Sequence, residues 1–170
     1  MTQQEAQALS NYLIKNIEQE LPVTRKILAA VPEQQLGFKL GDKGRTAAEL
    51  MWHIILAEIA FAKGILKQNF DTFQDEGKPP ASAAEMVATY DRELPALVEK
   101  LKAMTGEQLA TPINFMDIAN VPAVIYIGWL SHHSIHHRGQ LSTYVRALNA
   151  HVPSIYGGSA DEPFGSAASA

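Results

Sequence analysis

The sequence predicts an all-α protein, folded as a four-helix bundle. Three observations carry that expectation. Four long segments repeat apolar residues at intervals of three and four, two of them open on a capping box, and no stretch alternates apolar with polar residues as a half-buried strand does. The first helix is expected from about residue 4 to about 30, on Leu9, Leu13, Ile17 and Leu21, then Ile27, Leu28 and Val31. Pro22 within it predicts a kink or a restart, and Pro32 ends it. A loop holding Gly37, Gly41 and Gly44 follows. Thr46-Ala47-Ala48-Glu49 is a capping box, so the second helix starts at Thr46 and reaches about Lys67. Apolar residues surround most of its circumference, which predicts deep burial.

Asn69 to Ala81 carries Pro79-Pro80 and several acids and reads as a loop. Ser82-Ala83-Ala84-Glu85 is the second capping box. The third helix follows through Met86, Tyr90, Leu94, Leu97, Val98 and Leu101, with a bend expected at Pro95 and a stop at Gly106. Thr111 to Asn120 is expected to be a loop. Pro122 suits the first turn of the fourth helix, which runs through a histidine cluster to about Ala150 before Val152-Pro153. The chain is read as one domain over residues 1–164, with a flexible tail over 165–170.

Composition narrows the chemistry. The 170 residues suffice for one full core, and 46% hydrophobic with 19% charged residues is ordinary for a globular protein. The net charge of −4 and the scattered basic residues argue against a nucleic-acid partner. With no cysteine, thiolate metal sites and cysteine nucleophiles are excluded. The N-terminus does not read as a signal peptide, and the longest apolar run is too short for a bilayer, so a cytoplasmic location is expected.

Four of the six histidines lie in Ser131-His132-His133-Ser134-Ile135-His136-His137-Arg138. On a helix, residues four apart stack on one face. The stripe of His133 and His137 also holds Tyr126, Leu130, Leu141, Tyr144 and Leu148 and should face the core. That of His132 and His136 holds Trp129, Gln140 and Thr143, is more polar and sits to one side, at a helix–helix or subunit contact. His53 shares its stripe with Leu50, Ala57, Ala60 and Gly64. A lone core histidine ordinarily satisfies a hydrogen bond, but a His-x-x-x-His pair on an apolar stripe facing a third imidazole suits zinc, nickel, iron or copper. His53, His133 and His137 are thus the candidate ligands, with an open position left for water or substrate. Arg138 has two readings, a grip on a substrate carboxylate or an ion pair between helices. His151 is given no role beyond the helix C-terminal dipole. Glu58, five residues past His53, points elsewhere on its helix, which weakens it as a base.

The sequence resembles the DinB/YfiT-like superfamily. The resemblance is carried by His53 at the end of Ala48-Glu49-Leu50-Met51-Trp52-His53, by the block from His133 to Leu141, by Tyr144-Val145-Arg146, by Val152 to Gly157 and by Ser159 to Glu162. It covers the chain from about residue 5 to about residue 164. It implies a bundle of the up-down-down-up type, often dimeric, holding a divalent metal, typically nickel or zinc, on His53, His133 and His137. Some members use low-molecular-weight thiols as S-transferases or isomerases. The resemblance therefore implies a metal-dependent enzyme, thiol-dependent, with a small-molecule substrate and a role in stress or detoxification. The alternatives are a metal-dependent hydrolase and a non-catalytic metal- or ligand-binding stress protein. No catalytic acid or base is assigned.

Overall fold

The computed structural model describes residues 1–164; the expected tail over 165–170 lies outside the described residues. The chain is mostly helical. Four long helices, α1 (Gln3–Ala29), α2 (Ala47–Lys67), α3 (Ala83–Lys102) and α5 (Ala123–Ala147), are joined by a short α4 (Gly106–Ala110) and a two-stranded sheet, β1 (Pro112–Phe115) and β2 (Ala119–Pro122). α1 packs against α3 and α5, and α2 packs against the same two. Every long helix therefore buries a face against two others, and the core fills the space between them with Ile27, Leu50, Ile54, Met86, Leu94, Tyr126 and Leu141, all 2% exposed or less. Among the described residues, no helix is long and apolar enough to cross a membrane.

Of the two expected capping boxes only the one at Thr46 closes; Ser82 accepts from the Glu85 amide at 3.1 Å without a return bond from Glu85. Thr46 accepts from the Glu49 amide at 3.1 Å while Glu49 accepts from the Thr46 amide at 2.6 Å. Two of the orphan donors at the start of α2 are thereby satisfied, which sets the rotational phase of the helix. Gln68 ends α2 in the left-handed region at φ 59°. The prolines do not break their helices: α1 continues through Pro22 and α3 through Pro95.

Two expectations need correction. Gly106 does not stop α3; Thr105 caps a new helix, α4, which Gly106 opens. The segment 111–120 is no simple loop but the arm of an antiparallel hairpin, so the fold is not purely helical. Ile113 and Phe115 point inward from β1 while Pro112 and Asn114 are exposed, an alternation only four residues long. Met116 and Asp117 turn the hairpin with φ of 52° and 58°. That conformation is unfavourable for Met116, and it is held because Asn114 and Asp117 bond reciprocally, at 2.8 and 3.2 Å. The Tyr126 hydroxyl donates to the Ile113 carbonyl at 2.8 Å, which ties the hairpin to α5.

α5 is also tied to α1 by buried polar contacts. Arg138, 1% exposed, pairs with Glu20 at 2.5 Å. It also donates to Thr24 Oγ1 at 3.1 Å and contacts the Tyr156 hydroxyl. The interhelical ion pair is thus the reading of Arg138 that the geometry realises.

Candidate metal centre

α2 and α5 lie side by side, and the histidines lie on their facing stripes. The capping box at Thr46 places His53 two turns into α2, where it is 7% exposed. The hairpin anchor at Tyr126 sets the phase of α5, so the stripe carrying Tyr126 and Leu130 continues inward to His133 and His137. The three imidazoles converge. His53 Nε2 lies 3.1 Å from His133 Nε2 and 3.3 Å from His137 Nε2. Together the three form a group able to hold one metal ion, with one ligand atom each and all ligand atoms within 4.8 Å.

The surrounding hydrogen bonds determine which nitrogens are free. His53 Nδ1–H donates to the Asp75 backbone carbonyl at 3.0 Å, with an Asp75 carboxylate oxygen at 3.8 Å. His137 Nδ1–H donates to Gln140 Oε1 at 2.9 Å. With the proton on Nδ1, a neutral imidazole has only a lone pair at Nε2. His53 and His137 therefore present lone pair to lone pair at 3.3 Å, an arrangement that repels unless a cation lies between them. Protonation of His133 and His137 is disfavoured. Burial, reinforced by the neighbouring imidazoles, pushes His133 down to about 3, and burial also lowers His137. Nitrogens bound tetrahedrally at 2.0–2.1 Å stand about 3.3 Å apart, so the donor set fits a divalent transition metal. The bonds from Nδ1 to Asp75 and Gln140 are of the kind that orient metal-ligating histidines. His133 Nδ1 is buried without such a partner.

Aromatic rings wall the site on the His133 side. The Phe61 ring lies 6.2 Å from the His133 ring and stacks on Phe115 at 5.6 Å, and Phe115 meets Trp129 edge-on at 5.8 Å. The opposite side is charged. A cavity of about 410 Å³ reaches His53 and is lined also by Lys43, Arg45, Glu49 and Glu76. The remaining histidines do not join the group: His132 and His136 are exposed, and His151 pairs with Glu162 at 2.9 Å. Glu58 also turns away. It is buried and accepts from the Tyr90 hydroxyl at 3.3 Å.

Sequence reasoning did not single out Asp75, Gln140, Lys43 or Arg45. Gln140 carried a usable signal, since it lies three residues past His137 and one turn along the same side of the helix. Asp75 carried none, because its backbone carbonyl is the acceptor and any residue supplies one.

The DinB family model matches residues 1–164. The chain belongs to the DinB family. Among its relatives, YrdA of Bacillus subtilis (strain 168), described as uncharacterized, is 31% identical over 157 residues, covering 89% of this chain and 90% of that protein. YjoA of the same organism, also described as uncharacterized, is 26% identical over 142 residues, covering 82% of this chain and 90% of YjoA. A DinB-like protein from Bacillus cereus ATCC 10987 superposes with a TM-score of 0.74 at 26% identity, over 85% of this chain and 95% of the other. The crystal structure of YjoA superposes with a TM-score of 0.70 at 23% identity, over 85% and 97%. This DinB-family chain therefore shares the DinB-like fold.

Proposed function

We propose that this DinB-family protein is a metal-dependent enzyme of the thiol-dependent transferase or isomerase type, with His53, His133 and His137 holding a divalent ion, nickel or zinc. The observation that carries the reading is the confrontation of His53 and His137 lone pairs at 3.3 Å, each ring held by a hydrogen bond behind it. Such a group supplies three ligands and leaves a side open, the pattern of a catalytic rather than a closed structural site. When bound, the ion supplies Lewis acidity that lowers the pKa of a thiol or a water on that open side. The chain's own part is positional: Asp75 and Gln140 fix the rings, and the aromatic wall excludes water from the His133 side.

Hydrolysis has less support. It calls for a carboxylate base held on the open side, yet Glu58 faces Tyr90, Glu49 caps its own helix and Glu76 sits on an exposed loop against Arg45, where nothing orients it toward the histidines. The packing of α1 and α2 each against α3 and α5 supports reading residues 1–164 as a single four-helix bundle, for which we propose the up-down-down-up order.

The test is to load the purified protein with zinc or nickel and offer 2-mercaptoethanol with a chromogenic aryl chloride. The expected result is metal-dependent conjugation that His137→Ala abolishes. No conjugation, or equal conjugation by the variant, contradicts the transferase reading. Ester turnover without any thiol moves the assignment to hydrolysis, and stoichiometric metal with no turnover moves it to a binding protein.

A further inference from the structure

The loop before α2 brings a second chemistry to the mouth of the histidine group. A Cβ on Gly44 would meet the Tyr144 hydroxyl and the Leu40 carbonyl at 2.9 Å each, so only glycine lets the loop lie this tightly against α5. At the next residue the Tyr144 hydroxyl donates to the Arg45 carbonyl at 2.9 Å. Tyr144 lies two turns past His137 on the same stripe, so one helix positions both a candidate ligand and the backbone of Arg45. Lys43, Arg45, Glu49, Glu76 and Gly77 consequently share one cavity with His53, of about 410 Å³, a size suited to a small molecule.

The charges in that cavity are unequal in availability. The Glu49 carboxylate is turned back onto the Thr46 amide at 2.6 Å. Lys43 is exposed, and among the described residues it has no hydrogen-bond or ion-pair partner. The Arg45 guanidinium meets a single carboxylate oxygen of Glu76 at 2.6 Å, and Glu76 is 72% exposed on the loop between α2 and α3. An exposed loop carboxylate is a weakly held partner, and a guanidinium fork can accept a better-placed one.

We propose that Lys43 and Arg45 anchor the carboxylate of a small substrate whose other end reaches His53, His133 and His137, with Glu76 occupying the guanidinium until that carboxylate displaces it. The anchor itself stands independently of the metal; the reach to the histidines rests on the metal-centre reading above.

Metal-free protein is titrated with propionate, propanol and propylamine, following backbone amide shifts by NMR. Propionate is expected to shift Gly44, Arg45 and Gly77 at lower concentration than the neutral or cationic probe. Lys43→Gln and Arg45→Gln should each weaken propionate about three- to tenfold, and Glu76→Gln should tighten it by a similar factor. Lys43 and Glu76 are exposed, and the fold contact of Arg45 is made by its backbone, so these variants retain the structure. Equal binding of the three probes, or an unchanged propionate affinity in Glu76→Gln, overturns the proposal. Cobalt-loaded protein is then titrated with 3-mercaptopropionate, 2-mercaptoethanol and cysteamine, reading the visible absorption of the ion. The anionic thiol should perturb it at the lowest concentration, and Lys43→Gln should reduce that preference. Lack of cobalt uptake sinks the metal-centre reading alone, since the propionate titration does not depend on it. Cobalt uptake with no preference for the anionic thiol overturns the reach from anchor to histidines.

Discussion

Replacing Glu58 with glutamine isolates one buried electrostatic penalty in the helical core. The carboxyl is 2% exposed, one of its oxygens has no hydrogen-bond partner, and the other accepts only from Tyr90 at 3.3 Å. Burial pushes its pKa from 4.5 up to about 7, opposed in part by the nearby hydroxyls of Ser134 and Tyr90 and by the Arg138 charge. A carboxyl whose pKa is higher in the folded than in the unfolded chain binds its proton more tightly when folded, so stability falls as pH rises from 4.5 through about 7. At 1.36 kcal/mol per tenfold change in proton affinity, the span from 4.5 to about 7 corresponds to about 3 kcal/mol. Urea unfolding of both proteins at pH 5 and pH 8, with chelator present, measures it. Part of that penalty is already present at pH 5, so Glu58→Gln should gain on wild type by about 2.5 kcal/mol between those two values. The titration of His133 and His137 is common to both proteins and cancels in the comparison. A stability difference that does not change between pH 5 and pH 8 refutes the reasoning and places the carboxyl in its ordinary range.

Three further perturbations test the packing and the shell around the histidines. Gly64→Ala drives a Cβ into the Phe70 ring, which Phe61 and Phe115 hold in place; urea unfolding should show a loss of about 1–3 kcal/mol, and no loss would mean that the aromatic cluster yields freely. Arg138→Met strands Glu20 in a partly buried site, at 21% exposure, and should destabilise by about 3 kcal/mol, much of it recovered when Glu20 is also made apolar. Gln140→Ala releases His137 Nδ1 and should weaken zinc affinity about tenfold in competition with a chromophoric chelator, while the urea midpoint of the metal-free protein stays put because Gln140 is exposed.

The long helices were legible because their signals are local. Thr46 and Ser82 advertise their caps, and the apolar spacing of α1, α2, α3 and α5 needs no knowledge of the partner helix. The convergence of His53 with His133 and His137 was legible for the same reason, since a helical stripe fixes direction before packing is known. The hairpin escaped because its alternation is confined to Ile113 and Phe115, and its turn uses Met116 and Asp117 where glycine or asparagine would have been the signal. Gly106 misled because glycine suits the end of a helix better than its first turn; Thr105, with Gln108 three residues on, was the cap that outweighed it. The charged mouth of the site was hidden in tertiary contacts. That Arg45 faces the cavity depends on Gly44 meeting Tyr144, residues a hundred positions apart.

Zinc titration of the chelator-treated protein, followed by elemental analysis after gel filtration, tests the metal centre most directly. Wild type should retain one divalent ion per chain and melt higher when loaded, since a ligand of the folded state alone must stabilise it. His53→Ala and His137→Ala should retain none, whereas His132→Ala and His136→Ala should match wild type. A wild-type chain that retains no ion, or a His53→Ala chain that retains it as tightly, contradicts the account.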